Sequence, residues 1–175
     1  MKLDIWTKGL LATTGAAFVG LMLATVSQAA TESVVAQVTF ADPVTIVENG
    51  SLRYGVIDQV LNLEVITIAP DSSTSGSGVP LILGGTQAAA DLTVTASNPQ
   101  NISIQVGSII DGAGYALSAF TCKYNNGSDT ACQAAPYNTA SVASATLLIG
   151  ATLTGDNLAV VGTADGSFIV TITYQ

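Results

Sequence analysis

Side chains that move protons, attack carbonyls or hold metals are scarce in this 175-residue chain, which has no histidine. A serine or cysteine nucleophile needs a base beside it, and histidine is the usual one. Beyond residue 29 the only lysine is Lys123, so a serine–lysine arrangement would rest on it alone. Asp111, Asp129 and Asp156 could work in pairs on a glycosidic bond, for which two carboxylates suffice. Each adjoins Gly, Ser or Asn in a turn-like stretch, where an aspartate bonds its own backbone. No catalytic residue is assigned, and the chain is not expected to be an enzyme.

Metal and phosphate chemistry fare no better. Two thiolates without histidine are too few for zinc. Asn125, Asn126 and Asp129, or Asp111 with neighbouring carbonyls, could offer oxygens to calcium, but no D-x-D-x-D-G loop is present. Gly84-Gly85 and Gly112-Ala113-Gly114 lack the strand–glycine–helix setting of a phosphate cradle. No metal site and no cofactor are assigned.

The start of the chain reads as a leader. Lys2 and Lys8 precede the apolar, uncharged stretch Leu10 to Val26, and Ser27-Gln28-Ala29 offers the small-x-small pattern that a signal peptidase recognises. Cleavage after Ala29 is favoured over an uncleaved anchor by the glycines Gly15 and Gly20 and by the small residues before the cut. The expected organisation is a cleaved helical signal peptide over 1–29 and a single domain over 30–175, with no stable membrane span after cleavage. The leader looks bacterial, so the product is expected in the periplasm, at the cell surface or secreted.

Export puts Cys122 and Cys132, the chain's two cysteines, in an oxidising compartment, where a disulfide is the default. The loop it closes is worth about 2.7 kcal/mol at most in the chain-entropy account. Past residue 29 only Arg53 and Lys123 are basic, and the whole chain carries a formal net charge of −8. Such a surface repels phosphate backbones, which argues against a nucleic-acid partner.

Alternating apolar residues separated by turn signals run through the rest of the chain. Strands are predicted at 34–40, 44–46, 52–57, 61–69, 92–96, 102–106, 115–124, 146–153, 158–161 and 168–174. The serine-rich run Asp71–Gly78 reads as a mobile loop. Nine or ten short strands with no sustained helical period imply an all-β fold, an Ig-like or jelly-roll-type antiparallel β-sandwich.

The final strand has the best apolar face of all: Phe168, Val170, Ile172 and Tyr174 fall on one side. It could be an ordinary core strand, worth on the order of 6–10 kcal/mol as an upper figure. Tyr174 is the next-to-last residue and Gly162 stands fourteenth from the end. This pattern resembles the C-terminal signature of chaperone–usher pilus subunits. The resemblance implies an Ig-like sandwich lacking its last strand, whose groove is filled by a periplasmic chaperone and then by another subunit's extension, and it places Gly162, Phe168, Val170, Ile172 and Tyr174 at an assembly interface. In that family an extension precedes the first strand and the disulfide joins early strands, whereas here only Ala30–Ser33 precede Val34 and the cysteines lie mid-chain. Val34, Ala36, Val38 and Phe40 therefore read two ways, as the donated strand or as the first core strand.

The stretches "AQVTFADPVTIVENGSLRYGVI", "AAADLTVTASNPQNISIQV" and "GSFIVTITYQ" also resemble the secreted bacterial family known as domain of unknown function 4402. That resemblance implies export and a β-sandwich, and no activity. The functional expectation is a pilin-like structural subunit that associates with copies of itself, or with a periplasmic chaperone and assembly machinery, by β-strand addition. The alternative is a secreted binding module for carbohydrate, or for a calcium-dependent ligand, using the loops around Gly112–Tyr115, Tyr124–Asp129 and Tyr137.

Overall fold

The computed structural model describes residues 37–59, 62–156, 158 and 161–175. The expected leader, together with Val34 and Ala36, lies outside the described residues. The chain divides into two units, Met1–Val38 and Thr39–Gln175. Of the first, Gln37 and Val38 are described; both are exposed and neither is in a strand.

In the second unit the strands are β1 (Thr45–Gly50), β2 (Val56–Ile57), β3 (Asn62–Ile68), β4 (Thr74–Ser75), β5 (Ile82–Gly84), β6 (Ala90–Thr95), β7 (Asn101–Ile110), β8 (Tyr115–Tyr124), β9 (Thr130–Ala131), β10 (Tyr137–Ala140), β11 (Ser144–Asp156) and β12 (Ser167–Tyr174). The 13-residue β11 is the spine of the larger sheet. Along one edge it pairs with β8; along the other, β6 takes Ser144–Ile149 and β3 takes Ala151–Asp156. β1 extends the sheet beyond β6, β4 beyond β3 and β9 beyond β8. The second sheet is β10-β7-β12, and β2 with β5 forms a small third one. Every pairing is antiparallel. The fold is an all-β antiparallel sandwich, as the periodicity predicts.

Period-two patterning explains which faces meet. Ala145, Leu147, Ile149, Ala151 and Leu153 of β11 are all buried, against Ile102, Ile104 and Val106 of β7 in the same core. Burying a side chain of this kind is worth about 1.5–3 kcal/mol. In β8 the inward set is Leu117, Phe120, Cys122 and Tyr124, a spacing of three and then two. The extra residue is accommodated by a bulge at Ala119, whose φ is 49°, where the register against β11 shifts. Ser108 in β7, with φ 46°, marks a similar shift against β12.

Gly150 sits where β6 gives way to β3 along the spine. A Cβ there would lie 2.1 Å from the Ile68 carbonyl oxygen, so only glycine lets the two backbones approach this closely. Cys122 and Cys132 form the expected disulfide, with both residues fully buried. Cys132 also joins the layers through its backbone. Its N–H donates to the Phe120 carbonyl in the larger sheet (3.1 Å), and its carbonyl accepts from Val106 N–H in the smaller one (2.7 Å).

Several predicted elements differ. Residues 37–40 form no strand, so this part of the predicted Val34–Phe40 segment is not a core strand. The 52–57 run is broken into a single bridge at Arg53, paired with Ala88, and the short β2. Gly55 breaks it, with a φ of 84° and the Gly84 carbonyl 2.6 Å from where a Cβ would stand. Leu158 and Val161 are exposed and outside any strand, while 159–160 lie outside the described residues. The serine-rich run is organised: Asp71 accepts from Ser73 N–H (2.9 Å) and Oγ (2.6 Å), and Gly78 N–H reaches the Val65 carbonyl (2.9 Å). Those Ser73 hydrogen bonds hold the Asp71 carboxyl below its ordinary range.

Replacing both cysteines with alanine removes the cross-link from the buried junction of the two sheets. The expected loss is about 2–5 kcal/mol in urea unfolding, and a variant unfolding at the parent midpoint would contradict this account of the junction.

Candidate assembly edge

β12 is an edge strand. It pairs with β7 from Ser167↔Ile110 to Tyr174↔Ile102, and among the described residues no strand pairs with its other edge. Alternate N–H and C=O groups of an edge strand point away from its partner and are open to a further strand. Phe168, Val170, Ile172 and Tyr174 face the core but stay only half-buried, whereas Ile102, Ile104 and Val106 beside them are fully enclosed. Phe168 packs on Phe120 with ring centroids 4.8 Å apart. The structure thus brings these four predicted residues together on one face.

The opposite wall is β1, the edge of the larger sheet. Between the two edges runs a groove of about 410 Å³, lined by Ile46, Leu52, Leu92, Leu117, Phe168 and Val170 among others. The strand order explains why the sandwich is open on this side. β1-β6-β11-β8 facing β7-β12 reproduces the A-B-E-D and C-F order of the immunoglobulin sandwich, in which a seventh strand, G, lies beside F. β12 takes the place of F, and the position beyond it has no strand among the described residues.

At the far end of β12, beyond the residues that line the groove, Tyr174 uses its hydroxyl to tie β12 to the loop and segment beside β1 and β6. The hydroxyl accepts from Ser97 N–H (2.7 Å) and donates to the Asp42 carbonyl (2.8 Å). Ser97 Oγ in turn accepts from Asp42 N–H (2.6 Å). Asp42 is therefore held through both its backbone groups. Phe40, two residues earlier, is 89 % exposed, and Val38 is 70 % exposed. The sequence marks Tyr174 as an apolar position of the strand; the signal for its second task is that the residue is tyrosine and not phenylalanine.

Tyr115 and Tyr54 shape the other end. Tyr115 lies so close over Gly112 that a Cβ there would meet its ring at 2.2 Å, and its hydroxyl donates to the Ala164 carbonyl (3.1 Å). Tyr54 donates to the Ala151 carbonyl of the spine (2.8 Å). Burial, with Tyr115 adding, pushes the Tyr54 phenol far above its usual range; burial also raises Tyr115, against the pull of the Gly166 backbone. A larger cleft of about 960 Å³ adjoins here, and Gly162 lines it instead of the groove.

The loops proposed for a ligand do not form one site. Tyr115 and Tyr124 stand at opposite ends of the 10-residue β8, roughly 30 Å apart at strand spacing. Tyr124 is buried and its hydroxyl accepts from Val142 N–H (3.3 Å). Tyr137 is half-buried beside the 125–127 turn. Asp111 accepts from Leu117 N–H (2.8 Å), Asp156 from Leu158 N–H (2.9 Å), and Asp129 pairs with Lys123 at 3.7 Å. Asn125 and Asn126, with φ of 47° and 58°, make a tight turn closed by Gly127 N–H on the Tyr124 carbonyl. Among the described residues no three acidic or thiol groups cluster to hold a metal, and no helix is long and apolar enough to cross a membrane.

These features define an immunoglobulin-type sandwich with one open side. The family model of domain of unknown function 4402 matches residues 44–174, and the chain belongs to that family. The match begins one residue before β1 and ends with β12, so Val38 and Phe40 fall outside it. Comparison with curated proteins and with solved structures returns no match.

Tyr174→Phe should cost about 1–2 kcal/mol in urea unfolding, because two backbone groups lose their partner. An unchanged midpoint would mean that the hydroxyl bonds add nothing. The raised Tyr54 pKa also fixes a sign. Below pH ~10 the phenol stays protonated in both states; above it the unfolded chain ionises first, so stability falls as pH rises. Tyr54→Phe should flatten that alkaline loss in melts across the range, and an equally steep fall would refute the assignment.

Proposed function

We propose that the protein is an exported structural subunit that accepts a β-strand along the outer edge of β12, joining copies of itself or being carried to them by a periplasmic chaperone. The observation that carries this reading is the edge. An immunoglobulin-type order stops one strand short among the described residues, beside inward side chains that are only half-covered. An added strand would satisfy the outward backbone groups of β12 and complete the cover over Phe168, Val170 and Ile172.

The segment supplying that strand, in this reading, is Val34–Phe40 of another copy. Val38 and Phe40 are exposed in this chain, alternate in the way a strand needs, and precede the family-matched span. Each would leave water on insertion, worth about 1.5–3 kcal/mol per side chain. Export is supported by the buried disulfide and by the leader-like start of the sequence.

Deleting residues 30–40 from the exported chain should leave a folded monomer, by circular dichroism and sedimentation, while the parent forms higher assemblies. If the deletion variant fails to fold and the parent stays monomeric at high concentration, strand addition is wrong.

A further inference from the structure

A strand added to β12 can lie in either direction, and the direction decides whose segment it is, in an inference that rests on the strand-addition reading. The groove does not run the whole length of β12. Gly166, Ser167, Phe168 and Val170 line it, with Ile46 and Glu48 of β1 across the opening, whereas Ile172 and Tyr174 stand outside its lining. The space for an incoming side chain therefore lies along the Gly166 half of the strand. At the Tyr174 end the hydroxyl bonds to Ser97 and Asp42 already tie the two layers together.

The donated segment is graded in size. Its apolar face reads Val34, Ala36, Val38 and Phe40, smaller residues first and the bulky ring last. Only one direction brings that ring to the cavity. Running antiparallel to β12, with inward residues opposite inward residues, the segment sets Phe40 beside Phe168, Val38 beside Val170, Ala36 beside Ile172 and Val34 beside Tyr174. Running parallel, it sets Phe40 beside Tyr174, past the cavity, and leaves Val34 to fill the space. Antiparallel is also the sense of every pairing among the described strands, and the stronger ladder per residue.

The chain's own segment cannot take that direction. Asp42 is bonded to Tyr174 and Ser97, and β1 begins three residues later, at Thr45. Phe40 is two residues from Asp42, a reach of about 7 Å. Phe168 lies six strand residues from Tyr174, about 20 Å away. The chain's own Phe40 falls short of the cavity while those bonds hold. Nor does it occupy the parallel place within its reach: Phe40 is 89 % exposed and residues 37–40 form no strand. We infer that β12 takes the Val34–Phe40 segment of a second copy, antiparallel and with Phe40 opposite Phe168, and that the bonds holding Asp42 bar the chain from filling its own groove. Donor and acceptor are different patches of the surface, so the contact is head-to-tail and builds rings or filaments instead of two-fold pairs.

The test places paired cysteines on the outward face of the exported full chain, away from the groove. Thr39, Ile169 and Thr173 are exposed, and the native Cys122–Cys132 bond is buried. The antiparallel register sets Thr39 opposite Ile169 of another copy, with Cα atoms about 4.5–5.5 Å apart and within disulfide reach. The parallel register sets Thr39 opposite Thr173. Thr39→Cys/Ile169→Cys should give a ladder of covalent oligomers on a non-reducing gel, and Thr39→Cys/Thr173→Cys should give none, with thermal melts showing that both variants are folded. A link between positions 39 and 173 inside one chain, found by peptide mapping of the monomer band, overturns the inference and leaves β12 an acceptor of strands. A ladder from that pair overturns it too, since the copies then pair in parallel. Linkage by neither pair, while the parent assembles and the 30–40 deletion does not, also overturns the inference and leaves strand addition standing. A parent that never assembles removes the reading beneath both.

Discussion

The shared edge of β11 is the constraint on which the rest of the molecule depends. One strand carries β8 on one side, from Leu147 to Gly155, and two end-to-end partners, β6 and β3, on the other. That arrangement fixes β6, which fixes β1, and so sets one wall of the groove. It works only if β6 and β3 can meet without colliding with the spine, and Gly150 is the residue that permits it. The unbroken inward alternation of β11 then holds the second sheet in place through β7.

The two sheets are not finished to the same degree. β7 is covered on both sides, by β10 and β12, and its inward side chains are sealed. β12 has one neighbour and stays half-wet. Edge strands are usually blunted by charge, proline or brevity. β12 has none of these: it is eight residues long, uncharged and free of proline. Its inner face, Phe168, Val170, Ile172 and Tyr174, is a regular apolar stripe left partly open.

How much of this could be read from the residues depends on what sets each element. β7, β8, β11 and β12 are long, rich in β-branched and aromatic residues, and buried on one face, so their period of two is plain. The disulfide follows from two cysteines and export. β4, β9 and β10 are pairings of two to four residues that exist because a neighbour is there, and no local pattern announces them. Gly55 splits a run that otherwise reads as a strand, through a backbone approach that is settled only in three dimensions. Of the groove, the β12 wall was legible and the β1 wall was not, because Ile46 looks like any strand residue until its partner across the opening is known. The cleft around Arg53 drew no attention in sequence, since a single arginine among turns has no spacing to betray it.

The clamp formed by Tyr174, Ser97 and Asp42 bears on how the sandwich would carry tension. A pull applied through the residues ahead of Asp42 reaches the Tyr174 hydroxyl and Ser97 before it reaches the ladder between β1 and β6. The load is thereby passed to the far end of β12 and on into β7, the best-enclosed strand of the smaller sheet. A tug that would otherwise peel β1 away from its terminus is spread across both layers of the molecule at once.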